Sequence, residues 1–261
     1  MGLEKFNYDV VGQISMFDLL NDKEPLRINK PIKLIELFAG LGSQYMALKR
    51  IGANVIPHMA IEFDKYACAI YNAIHGTNIV PTDVRDVKGG DLQITETESF
   101  TYLLTYSFPC TDLSVAGKML GMTKGSGTRS GLLWEVERIL TECKEYNGKL
   151  PQVLLMENVP QVHGKKNMAD FQKWLDFLES LGYTNVWQDL NAKDYANVAQ
   201  NRNRCFMVSF LGNYTYKFPE PIELTKTMQD YLEDEVDEKY YVNSERADKL
   251  IEKLIDEGTL E

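Results

Sequence analysis

The sequence predicts an α/β protein built on a doubly wound, mostly parallel sheet with helices on both faces. Short apolar runs recur along the chain, and stretches with helical spacing of apolar residues separate them. The first run is followed at once by a glycine-containing turn. Strands and helices that alternate in this way are typical of a parallel sheet covered on both sides. With 261 residues, of which 44% are hydrophobic, the chain has enough apolar residues for one sizeable core.

The elements predicted up to residue 84 alternate between strand and helix. Two predicted helices end at Gly52 and Gly76, because glycine readily adopts the left-handed conformation of a helix terminus. The apolar runs between them have the length and composition of buried strands. In order, we expect a strand in IKLIELF, a helix in QYMALKRIG, a strand in NVIPHMAIE, a helix in DKYACAIYNAIHG and a short third strand in IVPTDV.

The middle of the chain continues the pattern. Three apolar runs, YLLTYS, QVLLMEN and CFMVSF, are predicted as further strands. GLLWEVERILTECKEY and MADFQKWLDFLESLG are predicted as helices. The second of these places its large apolar residues along one helical face. These residues are Phe171, Trp174, Leu175, Leu178 and Leu181.

The two ends differ in character from this middle part. Residues 1–30 have no strong periodicity and are expected to form a loosely packed arm, in which ISMFDLL is a short apolar segment. Residues 220–261 contain fourteen acidic and five basic residues out of 38 and 28 in the chain, so the rest, with 24 and 23, is nearly neutral. The run LEDEVDEKYYV is typical of a solvated surface. The net charge of -10 therefore resides mostly in the tail.

The tail also contains a predicted helix, with Ser244 as N-cap and Gly258 as its end. An apolar stripe at helical spacing either covers the chain's own core or binds a partner. The stripe consists of Ala247, Leu250, Ile251, Leu254 and Ile255.

The sequence shows no signal for a membrane, a disulfide framework or a metal. No apolar run approaches the roughly 18 residues of a spanning helix, and the start has no leader-like pattern, so we expect a cytoplasmic protein without a membrane association. The cysteines are scattered and form no CxxC pair, and the histidines have no ligand spacing. We expect no metal site. The residues concerned are Cys68, Cys110, Cys143, Cys205, His58, His75 and His163.

The turn FAGLGS follows a strand and precedes a helix, which is where backbone N–H groups meet a ligand at the carboxyl edge of a sheet. Glu62 ends the next strand 20 residues after Gly42, close to the spacing of acidic residues that bind ribose hydroxyls. Asp83 ends the third predicted strand. Tyr45 replaces the third glycine of a dinucleotide fingerprint, so S-adenosylmethionine, which has no phosphate, fits better. Its sulfonium would lie near Phe38, which is equally well explained as a core aromatic.

The stretch SFPC places a thiol at the same edge. Pro109 restricts the backbone around it, so Cys110 emerges in a rigid loop. A nucleophilic thiol needs an electrophile that an acid can activate, and Glu157 at another strand end is the candidate acid. Arg202 and Arg204 in QNRNR point to the same side in extended chain and are candidates for binding a polar edge of a planar substrate. A capping carboxylate and surface ion pairs are the plainer explanations of these charged residues.

In this order, FAGLGS, EFDKYA, TDV, SFPCTDLS, TRSGLLWEVERIL, MENVP, LNAKDY and QNRNRCFMVSF resemble the catalytic region of the C5-cytosine DNA methyltransferases. The resemblance runs from about Pro31 to Phe210 and implies a Rossmann-like, S-adenosylmethionine-dependent methyltransferase domain over residues 31–219, with double-stranded DNA as substrate. The implied cofactor residues are Phe38, Ala39, Gly40, Leu41, Gly42, Glu62, Phe63, Asp83, Val84, Pro109 and Leu132.

The resemblance also implies the roles of the catalytic residues. Cys110 would add to C6 of a cytosine flipped out of the duplex, while Glu157 would supply the hydrogen bond or proton at N3 of the base. Arg204 would hold the base carbonyl, with Arg202 in support. C5 would then accept the methyl group and lose its proton.

Three departures from the family pattern are visible. Ala199 stands where proline usually precedes the glutamine, and one extra residue lies near Ala196 and Asn197, so we expect local reshaping. The recognition domain and the final family motifs are not seen before Glu261. We therefore expect the catalytic half of a split enzyme, with residues 220–261 as the start of a recognition region and a second polypeptide supplying the rest.

Four other functions remain open at this point. They are a truncated relic, a tRNA cytosine-5 methyltransferase, a cofactor-binding regulatory subunit and, on fold analogy alone, a dehydrogenase. A role in restriction-modification, an orphan activity and a mobile-element function would all use the same catalytic residues.

Overall fold

The computed structural model describes residues 24–25, 27–113 and 120–259, and every structural statement below refers to these residues. The arm expected over residues 1–30 lies largely outside them, and ISMFDLL lies wholly outside them.

The described chain has eight strands and six α-helices in alternating order. The strands are β1 (Glu24–Pro25), β2 (Ile32–Leu37), β3 (Val55–Ile61), β4 (Thr101–Tyr106), β5 (Val153–Asn158), β6 (Tyr183–Asn191), β7 (Asn203–Leu211) and β8 (Tyr214–Thr215). The helices are α1 (Ser43–Arg50), α2 (Lys65–His75), α3 (Leu133–Asn147), α4 (Met168–Ser180), α5 (Ala192–Tyr195) and α6 (Glu245–Asp256).

Six of these strands form one mixed sheet in the order β3-β2-β4-β5-β7-β6. β2 to β5 are parallel, whereas β7 is antiparallel to β5 and β6 is antiparallel to β7. Leu37 pairs with both Ile61 and Tyr106, so β2, β3 and β4 end at the same edge. The predicted doubly wound, mostly parallel sheet is confirmed.

Alternate residues of the central strands pack on opposite faces of the sheet. Ile35 and Leu104 belong to a large core with α3 and α4, in which Trp174 is fully buried. Leu34 and Leu103 belong to a smaller core on the other face, against α1. Because both faces are covered, the central strands are largely buried, and all six residues of β4 are buried.

Two details differ from the sequence prediction. IVPTDV is not a strand: residues 77–83 are irregular and lead into a 3₁₀ helix, Val84–Asp86. Pro81 offers no N–H for a sheet ladder, and the segment is attached to the end of β3 only through Thr82 N, which donates to Glu62 O at 2.7 Å. β6, which was not predicted, forms the other edge of the sheet.

The described tail beyond residue 219 is almost entirely exposed. The predicted tail helix is confirmed as α6, and Ser244 Oγ accepts from Ala247 N. Its apolar stripe does not cover the core, since Leu250 and Ile255 are 55% and 53% exposed. Among the helices of the described chain, none has the length and hydropathy to cross a membrane.

Candidate active site

The glycine turn after β2 has a backbone that few residues tolerate. Phe38, Gly40 and Gly42 all have positive φ, at 60°, 53° and 75°. A Cβ on Gly42 would lie 2.3 Å from His75 Nε2, so α2 leaves no space for a side chain there. The turn thus requires glycine for two reasons, its left-handed conformation and its close approach to α2.

Glu62 holds this turn in place. Its carboxylate accepts from Gly40 N at 2.8 Å and from Asp64 N at 2.8 Å. Each carboxylate oxygen has a second lone pair, so Glu62 keeps acceptor capacity for a ligand. The acid predicted from spacing and the glycine turn therefore form one unit.

Asp83 lies at the same edge as the N-cap of the 3₁₀ helix, and its carboxylate is paired with a neighbour. Arg85 Nε donates to Asp83 Oδ1 at 2.9 Å, and this hydrogen bond lowers the pKa of Asp83 below its ordinary value. Asp83 is thus an ionised acceptor whose orientation is set by Arg85.

The other predicted cofactor residues differ in exposure. Leu41 and Phe63 are exposed, at 44% and 71%, whereas Ala39 and Val84 are buried. The half-buried residues Phe38 and Leu132 pack against the edge of the large core. The edge thus offers two carboxylates that can accept hydrogen bonds, together with exposed apolar side chains. This combination fits an adenosine ligand without phosphates.

Cys110 is the accessible cysteine of the chain. It is half-buried, whereas Cys68, Cys143 and Cys205 are buried. The loop that holds it is fixed to β5, because Asn158 Nδ2 donates to Phe108 O at 3.0 Å. The loop that bears the thiol is therefore tied to the strand that bears Glu157.

Two buried polar residues hold the thiol turn from its other side. Ser130 Oγ donates to Pro109 O at 2.7 Å and accepts from Asp112 N at 3.3 Å. Ser130 N in turn donates to Asp112 Oδ2 at 3.2 Å. Both residues are at most 9% exposed.

Glu157 is paired with the two predicted arginines. Arg204 Nε lies 3.2 Å and the Arg202 guanidinium 3.9 Å from Glu157 Oε1. Burial raises the pKa of Glu157 above its ordinary value, and the charges of Arg204 and Arg202 oppose that rise. The structure thus brings together a thiol loop, a partly buried acid and two cations at one sheet edge.

The family of the chain follows from comparison with known proteins. A family model described as C-5 cytosine-specific DNA methylase matches residues 32–258. The chain belongs to this family. The resemblance stated from its motifs and the predicted enzyme class are confirmed at the level of the family.

Curated relatives of this methylase include restriction-modification and orphan enzymes. Type II methyltransferase M2.ScrFI of Lactococcus lactis subsp. cremoris is 37% identical over 83% of this chain and 71% of its own length. Orphan methyltransferase M.SssI of Spiroplasma monobiae is 42% identical over 67% of this chain and 43% of its own. Type II methyltransferase M.NlaX of Neisseria lactamica is 34% identical over 81% of this chain. The chain spans between 43% and 71% of these three relatives.

Solved structures show the same fold. Schizosaccharomyces pombe Dnmt2 superimposes with a TM-score of 0.62 at 21% identity, over 86% of this chain and 66% of that one. The Entamoeba histolytica methyltransferase EhMeth superimposes with a TM-score of 0.66 at 17% identity, with the same coverage of both chains. At this identity the likeness concerns the fold alone.

Asn197 lies where the sequence predicts an extra residue and local reshaping relative to the family. Its φ is 49°, and its Oδ1 accepts from Thr225 N at 2.8 Å and from Lys226 N at 3.1 Å. This left-handed residue therefore anchors the start of the tail, and Arg202 and Arg204 lie beside Glu157.

One histidine has partners that its sequence spacing does not indicate. His163, Asp189 and Cys205 each present a ligand-type atom within 4.8 Å of the others. His163 Nε2 lies 2.9 Å from Asp189 Oδ1, which is hydrogen-bond distance. Burial raises the pKa of the Cys205 thiol. This group joins β6 and β7 to the 3₁₀ helix, Pro160–His163, that follows β5.

Sequence reasoning missed the residues that hold the thiol loop. Asn158, Ser130 and Asp112 all lie inside the quoted motifs MENVP, TRSGLLWEVERIL and SFPCTDLS. No local pattern indicates the role of these three side chains, because the backbone groups that they bond across the thiol loop lie 18 to 50 residues away in sequence.

Proposed function

We propose that this methylase transfers a methyl group from S-adenosylmethionine to C5 of cytosine in DNA, through a covalent bond between Cys110 and C6 of a flipped base. The observation that carries the proposal is the bond from Asn158 Nδ2 to Phe108 O, because it holds the one accessible thiol beside the strand end of Glu157. The family of the chain supports the same reaction.

Cys110 and Glu157 activate the base at two different atoms, C6 and N3. The Cys110 sulfur forms a bond to C6, and the electron pair of the C5–C6 double bond moves toward N3 and the base carbonyl. Glu157 holds or donates a proton at N3, a role that its raised pKa supports. Arg204 and Arg202 supply positive charge beside this carboxyl and, in the proposal, orient the carbonyl of the base.

The cofactor would be held at the glycine turn, by Glu62 on the ribose, Asp83 on the adenine amine, and Phe38 and Leu132 as apolar walls. When bound, S-adenosylmethionine supplies an electrophilic methyl group. C5, made electron-rich by the bond between Cys110 and C6, would accept that methyl group, and S-adenosylhomocysteine would leave. The C5 proton would then pass to a base such as water, the electrons of the C5–H bond would restore the C5–C6 double bond, and the Cys110 sulfur would leave as a thiolate. The substrate cytosine must leave the stack to reach the thiol, at a cost of a few kcal/mol.

We also propose that a second polypeptide supplies the surface that recognises DNA. The charge balance supports it: residues 1–219 carry 24 acidic and 23 basic residues, too even a balance for a phosphate-binding surface. The exposed stripe of α6 offers an apolar face for such a partner. Copurification with the product of an adjacent reading frame is the expected result, and DNA methylation by the isolated chain would contradict this part.

The central test measures transfer of labelled methyl from S-adenosylmethionine to unmethylated duplex DNA and to bulk tRNA. The wild-type chain, with its partner if one copurifies, is compared with Cys110→Ala and with Cys143→Ala, a buried cysteine outside the site. We expect label in DNA that is lost in Cys110→Ala and kept in Cys143→Ala. Label in DNA that survives Cys110→Ala would refute the covalent mechanism, and label confined to tRNA would refute the substrate.

A further inference from the structure

Ser130 and Asp112 form a closed hydrogen-bonded unit around the residue that bears the thiol. The Ser130 hydroxyl donates to Pro109 O and accepts from Asp112 N, so it binds the chain on both sides of Cys110. The bond from Ser130 N to Asp112 Oδ2 closes the unit. We call these two residues and their three hydrogen bonds the serine–aspartate bridge.

The serine–aspartate bridge is buried, and the Ser130 hydroxyl both donates and accepts within it. A serine hydroxyl has one donor and two acceptor positions, and Ser130 uses the donor and one acceptor on the thiol turn. Ser130 is 0% and Asp112 is 9% exposed, so water does not compete for these bonds. Loss of the hydroxyl would leave Pro109 O and Asp112 N without these partners, which makes the turn sensitive to this one atom.

The bridge also connects the thiol to the predicted cofactor pocket. Ser130 begins the 3₁₀ helix Ser130–Leu132, which continues directly into α3. Leu132, two residues after Ser130, packs against the same core as Cys110. A shift of Leu132 would therefore be transmitted through one short, rigid turn to both ends of the thiol turn.

We propose that Ser130, supported by Asp112, is a positioning residue that fixes the Cys110 thiol and couples its position to occupancy of the cofactor pocket. The effect of Ser130 on catalysis rests on the proposed methyl transfer. Its effect on the position of the thiol does not, because the reactivity of Cys110 can be measured without any substrate.

The test is alkylation of the folded protein by iodoacetamide, followed at each cysteine by mass spectrometry. We expect Ser130→Ala to raise the alkylation rate of Cys110 by at least about threefold, because the two hydrogen bonds of the hydroxyl no longer hold the backbone on either side of the half-buried thiol. Cys68, Cys143 and Cys205 are buried and report unfolding in the same sample. Ser180→Ala is the matched control, since Ser180 Oγ also donates to a backbone carbonyl, Phe177 O, but lies at the end of α4.

Two further variants keep the result decisive. Ser130→Thr retains the hydroxyl and should return the Cys110 rate to within about twofold of wild type. If Ser130→Ala labels its buried cysteines and is therefore unfolded, Asp112→Ala, which removes the side-chain acceptor of Ser130 N, is measured in its place with a smaller expected rise. A Cys110 rate equal to wild type in a folded Ser130→Ala or Asp112→Ala protein would overturn the proposal.

The coupling has a separate readout. Saturating S-adenosylhomocysteine should slow Cys110 alkylation in the wild type, and Ser130→Ala should reduce that protection by at least about threefold. In methyl transfer, Ser130→Ala should lower kcat more than it raises KM for the cofactor. Equal protection in both proteins would refute the coupling. If the wild type together with its copurified partner transfers no methyl group to DNA, the proposed function fails, while the alkylation rates without ligand still decide whether the bridge fixes the thiol.

Discussion

Glu157 and Arg204 are diagonal neighbours on the antiparallel strands β5 and β7, where Glu157 pairs with Phe206, and Glu157 Oε1 lies 3.2 Å from Arg204 Nε. Burial raises the pKa of this carboxyl, and the arginine opposes the rise. Burial and the arginine therefore act in opposite directions on the proton affinity of Glu157, so the contribution of this carboxyl to stability should change with pH.

Glu157→Gln tests this balance through stability. Because the folded pKa lies above the ordinary 4.5, the folded protein binds the Glu157 proton more tightly than the unfolded chain does. The contribution of Glu157 to stability is thus largest at pH values below the ordinary pKa of 4.5, and it falls as the pH rises through the folded pKa. We expect the free energy of unfolding of Glu157→Gln, relative to wild type, to increase from about pH 4 to pH 7.

Urea denaturation at matched pH values measures this difference. Glu179→Gln, which removes an exposed carboxylate from α4, is the control for the loss of one negative charge. A relative stability of Glu157→Gln that stays constant or declines with rising pH would show that the carboxyl is not held in its neutral form.

Gly42→Ala should destabilise the fold by about 2–4 kcal/mol. Part of this, about 1–2 kcal/mol, is the cost of a left-handed residue with a Cβ. The rest is the overlap of that Cβ with the His75 ring, which would lie 2.3 Å away.

Gly52→Ala separates the two contributions to this cost. Gly52 has nearly the same conformation, with φ of 71°, but open space around its Cβ position. Urea denaturation should give about 1–2 kcal/mol for Gly52→Ala. Equal losses in both variants would mean that α2 can move away from the glycine turn.

Asn158→Ala should reduce both stability and methyl transfer. The side chain is 2% exposed, donates to Phe108 O and accepts from Val159 N, so its loss leaves buried groups unpaired at a cost of about 1–3 kcal/mol. Transfer should fall further than stability explains, since the thiol loop loses its tie to β5.

Asn147→Ala is the matched control for Asn158. Asn147 also donates to a carbonyl, Ile94 O, and accepts from an amide, Lys149 N, but it lies at the end of α3 away from the site. We expect kcat of this variant to equal that of wild type. A comparable loss of kcat in both variants would show that the Asn158 effect is general destabilisation.

Leu250→Asp should leave the stability of the chain within about 0.5 kcal/mol of wild type, because the side chain is 55% exposed. If a second polypeptide binds the stripe, the same change should weaken copurification. Leu178→Asp, in the core-facing side of α4, is the destabilising comparison, since Leu178 is fully buried. A loss above about 1 kcal/mol in Leu250→Asp would mean that the stripe packs on the chain's own core.

Much of the molecule was predictable because its signals are local. The apolar runs of β2, β4, β5 and β7 and the glycine-terminated helix α2 depend on residues close in sequence. The glycine turn, Glu62, Cys110 and Glu157 follow strand ends, so parallel strands bring them to one edge whatever the details of packing.

Other features depend on contacts between distant segments. IVPTDV has the composition of a strand, but Pro81 and its exposed position leave it outside the sheet. β6 has half-buried residues throughout and becomes a strand by pairing with β7. The spacing of apolar residues in α6 predicted an apolar helix face, and only the structure showed that this face does not pack on the core.

The sequence alone determined the fold class, the order of the motifs and which side chains are candidates for the chemistry, because periodicity and strand ends are properties of neighbouring residues. Tertiary structure decided how those side chains are held. Ser130 meets Pro109 across 21 residues, Asn158 meets Phe108 across 50, and Arg204 meets Glu157 across two antiparallel strands. Such hydrogen bonds and ion pairs form only once the sheet has aligned its strands, and no local pattern specifies them.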